Sequence, residues 1–142
     1  MKIMAIDYGD AHTGVAISDR TLTLTGVSTV ITAYRPEAVI AEVQRLIAQH
    51  EVTELVLGHP LNMDGTRGAR VEKAEAFAEQ LRAETGLPVT LWDERRTTID
   101  AHNILFGNGK NARERKKTVD AVAASLMLEG YLTYRARQRR ES

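Results

Sequence analysis

The stretch Lys2–Asp19, with the sequence KIMAIDYGDAHTGVAISD, decides the fold. Its two apolar runs, Lys2–Ile6 and Val15–Ile17, are typical of buried strands, so the stretch predicts a β-hairpin. Asp7 falls where a central strand ends, and Gly9 lets the backbone turn without a Cβ clash. Because a carboxylate at the mouth of a sheet is costly without a partner, Asp7 is interpreted either as a turn cap or as a ligand of a metal ion.

The rest of the chain predicts one further strand and then an alternation of helices and strands. Leu22–Leu24 and Val27–Thr32 form the third strand, with a bend at Gly26. The spacing then predicts a helix over 36–49, a strand over Thr53–Gly58, a helix from Val71 to near Gly86, a strand over Pro88–Trp92, a helix from Thr97 to about Phe106, and a last helix from Asn111 or Thr118 to about Arg135.

This order indicates an α/β fold. Three hairpin-joined strands followed by alternating helices and strands predict a mixed five-stranded sheet, with three antiparallel strands, then two parallel ones, and helices on both faces. At 142 residues we expect a single domain over 1–142, with a basic tail over about 136–142.

Composition excludes several classes of protein. The chain has no cysteine, which excludes disulfides, thiolate metal sites and cysteine nucleophiles. No stretch approaches the roughly 20 consecutive apolar residues of a membrane span. We therefore expect a cytoplasmic protein without a membrane partner.

The net charge is +0, but it is distributed unevenly along the chain. Residues 110–142 hold nine basic and four acidic side chains, a net charge of +5, which leaves −5 for residues 1–109. An acidic centre beside a basic arm fits an anionic polymer better than a small apolar ligand. The alternative is a solvated tail that is rich in arginine.

Acidic residues at three places are candidates for a metal site. Asp7 ends the first strand, Asp93 and Glu94 end the last strand, and Asp120 lies on an otherwise apolar helix. Converging carboxylates repel one another, and a divalent cation relieves that repulsion; oxygen ligands favour Mg²⁺ or Mn²⁺. Alternatively, Asp120 has a helix-terminal role and Glu94 pairs with a neighbouring arginine.

Basic side chains near these acids are candidates for binding phosphates. They are Arg67, Arg70, Arg95, Arg96, Lys110, Arg113, Arg115, Lys116 and Lys117. Aromatic residues are scarce among them, so we expect contacts to the nucleic-acid backbone rather than base stacking.

Four motifs of this sequence resemble those of the YqgF family, also called RuvX. They are the stretch from Asp7-Tyr8-Gly9 to Ser18-Asp19, the loop Gly58–Thr66 (GHPLNMDGT), the run Asp93–Thr98 (DERRTT) and the run Asp120–Ala124 (DAVAA). The match covers nearly the whole chain in one order.

The resemblance implies a ribonuclease H-like fold related to the RuvC resolvases. It also implies a nuclease that matures the 5′ end of pre-16S ribosomal RNA; the family was earlier regarded as a Holliday junction resolvase acting on branched DNA. By position, the acidic triad of the family falls on Asp7, Glu94 and Asp120, with metal-bound water as the nucleophile. The chain departs from the family at Ala11 and His12, where basic residues are common, and at His59 and Arg96.

Two other functions remain open at this point. The Asp-x-Gly hairpin also begins actin-like and sugar-kinase ATPases, but those proteins need a second half that 142 residues do not contain. A catalytically weak RNA-binding assembly factor is the other alternative. The oligomeric state, monomer or homodimer, is likewise open, because no clear dimerisation stripe is present.

Overall fold

The computed structural model describes the backbone of residues 1–61, 64–93 and 112–141, and the side chains of all of these except 112–120 and 140–141. The predicted helix from Thr97 to Phe106 lies outside the described residues. The strands are β1 (Lys2–Asp7), β2 (His12–Ser18), β3 (Thr25–Thr32), β4 (Val52–His59) and β5 (Val89–Asp93), and the helices are α1 (Pro36–His50), α2 (Ala69–Thr85) and α3 (Ala112–Glu141).

The five strands form one mixed sheet in the order β3-β2-β1-β4-β5. β2 is antiparallel to both β1 and β3, whereas β1, β4 and β5 are mutually parallel. The parallel strands are held in register by the pairs Ile6↔Leu57 and Leu57↔Leu91. The predicted α/β fold with a mixed sheet is therefore confirmed, and β1 is its central strand.

Helices cover both faces of the sheet. On one face, α1 and α2 pack against Met4 and Ile6 of β1, with Val43 and Phe77 fully enclosed. On the other face, α3 packs against the alternate residues of the same strands; this cluster includes Ile3, Ala5, Ala16, Val56, Ala124, Met127, Leu128 and Leu132. Because strand side chains alternate between faces, Met4 and Ile6 of β1 face α1 and α2, whereas Ile3 and Ala5 face α3.

The third strand differs from its prediction. Leu22–Leu24 are not part of β3, which begins at Thr25. The Asp19 carboxylate accepts the N–H of Thr23 at 3.1 Å, and the Asp19 N–H donates to the Leu24 carbonyl at 2.9 Å. Leu22 has a φ of 59°, which a strand does not allow. The Asp19 side chain hydrogen-bonds to the backbone of a nearby residue, and this local bond stabilises a turn in place of strand pairing by residues 22–24.

The C-terminal helix is longer than its prediction. α3 extends through Glu141 rather than ending near Arg135, and its 30 residues span about 45 Å. Residues 121–132 are all buried or half-buried, in agreement with the apolar pattern of this part of the sequence. Within residues 1–61, 64–93 and 112–141, no helix combines the length and apolar character needed to span a bilayer.

Candidate nuclease site

Asp7 lies at the carboxyl end of the central strand and is half-buried. Ile3 and Ala5 contact the α3 cluster, so the alternation along β1 directs Asp7 to the face that α3 covers. The cross-strand neighbour of Asp7 is Gly14, which has no side chain to fill the space beside the carboxylate. This position suits a ligand or substrate group that enters from the α3 side.

The turn that follows Asp7 depends on Gly9. A Cβ at this position would overlap the carbonyl oxygen of His12, so the backbone passes too close for any other residue. The Gly9 N–H also donates to the hydroxyl of Thr13 at 3.4 Å, and Thr13 is fully buried. The predicted role of Gly9 is confirmed, and the turn holds Asp7 on a fixed backbone.

The second acid of the hypothesis, Glu94, lies outside the described residues. The residue before it, Asp93, ends β5 and pairs in register with His59 at the end of β4. Because β1, β4 and β5 are parallel, their carboxyl ends meet at one edge of the sheet, and neighbouring strands lie about 4.8 Å apart. Asp7 and the end of β5 are thus two strands, or about 10 Å, apart.

The third acid, Asp120, belongs to α3, but its side chain lies outside the described residues. Its backbone is four positions before Ala124, which is fully buried against the sheet. The backbone of position 120 therefore lies one helical turn before a buried stripe that Leu128 and Leu132 continue. The role of Asp120 as a ligand stays a prediction.

Among the described side chains, no group of three acids or histidines lies close enough to hold a metal ion. Two members of the proposed triad lie outside that set. The donor chemistry at the edge is nevertheless suited to a hard cation, because Asp7 supplies a carboxylate from a rigid strand end.

The basic residues predicted from sequence are not equivalent in the structure. Arg67 is bound by Glu75: one guanidinium nitrogen donates to Glu75 at 2.8 Å and a second contacts the other carboxylate oxygen. His59 Nε2 donates to the same carboxylate at 3.0 Å. The hydrogen bonds from Arg67 and then from His59 lower the pKa of Glu75 to about 2, against the effect of burial.

Arg70 is exposed, and it makes no hydrogen bond or ion pair with any side chain in the described part of the chain. Arg113, Arg115, Lys116 and Lys117 lie in the first turns of α3, but their side chains are outside the described set. Arg95, Arg96 and Lys110 lie outside the described residues altogether.

Sequence reasoning missed three side chains at this edge: Tyr8, Lys73 and Glu75. Lys73 is three residues after Arg70 on α2, a spacing that places both on one side of a helix and that was visible in the sequence. Nothing in the sequence indicated that Glu75 would accept from both His59 and Arg67, because that requires the loop to fold back on α2.

Comparisons with known proteins show which family this chain matches. The RuvX family, described as a Holliday junction resolvase, matches residues 1–134. A protein of Carboxydothermus hydrogenoformans is 41% identical over 138 residues, covering 96% of this chain and 99% of the relative. One of Pelotomaculum thermopropionicum is 39% identical over 143 residues, covering 100% and 93%. Both are provisionally named pre-16S rRNA nucleases.

Solved structures show the same fold at low sequence identity. RuvC of T. thermophilus, in complex with a Holliday junction substrate, has a TM-score of 0.62 at 16% identity, covering 96% of each chain. The Holliday junction resolvase of fowlpox virus has a TM-score of 0.53 at 16% identity, covering 94% of this chain and 99% of the other. These similarities show a RuvC-like fold.

Proposed function

This chain belongs to the RuvX family, and we propose that it is a metal-dependent nuclease that matures the 5′ end of pre-16S ribosomal RNA. The observation that carries the proposal is the place of Asp7: it ends the central strand of a RuvC-like sheet, on the face that α3 covers. The relatives of this chain are named as nucleases, and the two solved structures of similar fold are a RuvC bound to a Holliday junction and a Holliday junction resolvase.

In this proposal Asp7, Glu94 and Asp120 hold Mg²⁺ or Mn²⁺. Two such ions would lower the pKa of water and stabilise charge on the phosphate oxygens. Asp7 is the central ligand, because its strand end is fixed by the Gly9 turn and Gly14 leaves room beside it. Asp120 would complete the set from α3, and Glu94 from the end of β5.

Substrate binding is assigned to basic residues around this edge. Lys116 and Lys117 come four and three positions before Asp120, so about one turn separates them from the proposed ligand. With Arg70, Arg95, Arg96, Lys110, Arg113 and Arg115 they would contact the phosphate backbone, which contributes most of the affinity for nucleic acid. Arg67 is left out of this set, because Glu75 already occupies its guanidinium.

Ribosomal RNA is favoured over branched DNA as the substrate. The relatives named for pre-16S rRNA are about 40% identical to this chain over its whole length, whereas the resolvases of solved structure share only the fold at 16% identity. A shared fold alone does not fix a shared substrate.

The direct test compares Asp7→Asn with wild type on a pre-16S RNA fragment and a four-way DNA junction, each with Mn²⁺ or Mg²⁺. We expect the wild type to cleave the RNA, and the variant to lose at least about 100-fold in rate, the scale of removing one electrostatic stabiliser. Glu79→Gln removes a carboxylate from the outer side of α2, where it pairs with Arg82, and is the matched control. Thermal melting shows whether each variant is folded.

Three results would contradict the proposal. Normal cleavage by folded Asp7→Asn would remove Asp7 from the site. Cleavage of the junction but not of the RNA would favour the resolvase. RNA binding without cleavage under any divalent ion would favour an assembly factor.

A further inference from the structure

A cleft lies at the same edge of the sheet as Asp7, but on the opposite face. Tyr8 follows Asp7 directly, so the alternation along the chain directs it to the α1 and α2 side, about 3.8 Å away in backbone position. The cleft separates the β1–β2 turn from the first turns of α2, and it is lined by Tyr8, Gly9, Asp10, Gly58, Pro60, Arg70, Lys73 and Ala74.

One wall of this cleft packs directly on the hydrophobic core. The ring of Tyr8 stacks on the buried ring of Phe77, with centroids 4.0 Å apart and planes within 2°. Gly9 lies so close to the His12 carbonyl that a Cβ would overlap it. The entropic cost of binding a ligand here therefore falls on the exposed side chains of Arg70 and Lys73 rather than on this wall.

Two cations line this cleft, Arg70 and Lys73, and both are weakly engaged. Arg70 has no partner among the described side chains. Within that same part of the chain, Lys73 forms one ion pair, with Asp10 at 3.6 Å, and these two side chains are 67% and 93% exposed. An ion pair so exposed contributes little, and Asp10 stands in water at the rim, where its repulsion of an anion is screened.

We propose that Arg70 and Lys73 bind a backbone phosphate of the substrate strand, adjacent to the phosphate that is held at Asp7. This inference rests on the proposed nuclease function. A strand that passes over the carboxyl end of β1 meets both faces of the sheet, with Asp7 on one and the cleft on the other. The fork of a guanidinium matches two phosphate oxygens, and a lysine three residues away on the same helix adds a second cation.

The first test measures the affinity of a labelled single-stranded RNA in EDTA over a range of salt concentrations. Arg70→Ala should weaken binding about tenfold and lower the slope of log K against log salt by about one. Arg45→Ala removes an equal charge from α1, where Arg45 is exposed and paired with Glu42, and should leave the slope at the wild-type value. Arg70→Lys should keep the slope and regain part of the affinity.

The second test locates the phosphate. A set of oligonucleotides carries one uncharged methylphosphonate linkage each, at successive positions. The wild type should lose the most affinity when the methylphosphonate replaces one particular linkage. Substitution of that same linkage should not change the affinity of Arg70→Ala, whereas substitution of the other linkages should affect the variant as it affects the wild type. An unchanged salt slope for Arg70→Ala, an equal change for Arg45→Ala, or full sensitivity of Arg70→Ala at every linkage would overturn the proposal.

Two further outcomes separate this proposal from others. If Arg70→Ala weakens binding of inorganic phosphate but leaves the RNA slope unchanged, the cleft is a site for free phosphate and the proposal fails. Because binding is measured in EDTA, it does not depend on cleavage. If the salt slope and the linkage sensitivity depend on Arg70 but the wild type cleaves no substrate, the proposed nuclease function is refuted and the phosphate site is supported. If the wild type cleaves RNA but binding does not depend on Arg70, the nuclease function is supported and the phosphate site is refuted.

Discussion

Glu54 near the start of β4 and Glu75 beside its end each interact with two side chains, at opposite ends of one sheet. The hydroxyl of Tyr131 donates to Glu54 at 2.6 Å, and Arg135 lies 4.0 Å from the other oxygen. Glu75 accepts from His59 and Arg67. The Glu54 side chain is 16% exposed and the Glu75 side chain is 33% exposed, so the first carboxylate is the more enclosed.

The two clusters connect different parts of the chain. Tyr131 is 77 residues from Glu54, so this bond ties the last helix to the middle of the sheet. The members of the other cluster fall within 16 residues, and they close the loop between β4 and α2 onto that helix. One cluster therefore supports the global fold. The other pairs Arg67 with a neighbouring carboxylate and leaves Arg70 as a cation without a partner among the described side chains.

The largest effect is expected from Tyr131→Phe. Among the described side chains, the change leaves the enclosed Glu54 carboxylate with Arg135, at 4.0 Å, as its remaining partner, and it should reduce the free energy of unfolding by about 1–3 kcal/mol. Tyr134→Phe, at a 43% exposed residue on the same helix, should change it by less than about 0.5 kcal/mol. Urea unfolding at pH 7 measures both, and equal losses would show that Glu54 needs no hydroxyl.

The next largest effect is expected in the pH dependence of the stability difference between wild type and Tyr131→Phe. Burial, and then the hydrogen bond to Glu54, raises the pKa of Tyr131 to about 12. The folded state holds this proton more tightly than the unfolded state, whose pKa is near 10. The stabilisation is therefore complete below pH 10 and is lost as the pH rises from 10 to 12. The difference in unfolding free energy between wild type and Tyr131→Phe should narrow over this range; a constant difference would contradict it.

A smaller dependence of stability on pH, of opposite sign, is expected from Glu75 at the other end of the sheet. The pKa of Glu75 is lowered from 4.5 to about 2, chiefly by its hydrogen bond with Arg67. Its contribution to stability is thus present above pH 4.5 and is lost as the pH falls toward 2. Unfolding curves of wild type and Glu75→Gln should converge over that interval. Glu79→Gln is the control on the same helix, and convergence to the same extent there would remove the special role of Glu75.

The smallest effect is expected from Arg67→Ala on RNA binding in EDTA. Since Glu75 already neutralises this guanidinium, its removal should leave the salt slope close to that of wild type, in contrast to Arg70→Ala. A drop of about one in the slope for Arg67→Ala would show that both arginines meet phosphates and that the two are not distinguished by Glu75.

Much of the fold could be predicted because it depends on the spacing of apolar residues along the chain. The apolar runs on either side of Asp7 and the helical spacing of Val39 and Val43 predict which residues are buried, and these residues are buried in the structure. The error at Leu22–Leu24 arose because an apolar alternation was present, but the Asp19 carboxylate captured the backbone that the strand required. The hydrogen bond from the Thr23 N–H to the Asp19 carboxylate thus favours a turn where the apolar alternation predicted a strand.

The candidate site was predictable only in part. The position of Asp7 at the end of a central strand follows from the hairpin and the number of strands, and β1 is central in the sheet. That Asp7, Glu94 and Asp120 form one metal site stays a prediction, because the side chains of two of them lie outside the described residues.

The sequence by itself determined the alternation of buried and exposed residues, the turn at Gly9 and the place of Asp7, since each depends on backbone sterics or on neighbours along the chain. Only the tertiary structure separated Arg67 from Arg70. These residues have the same chemistry three positions apart, and what distinguishes them is Glu75, which accepts from Arg67 and from His59 only after α2 packs beside the end of β4. Charge depends on residue type, but whether a charge is available depends on what lies within hydrogen-bonding distance, and that is set by the fold.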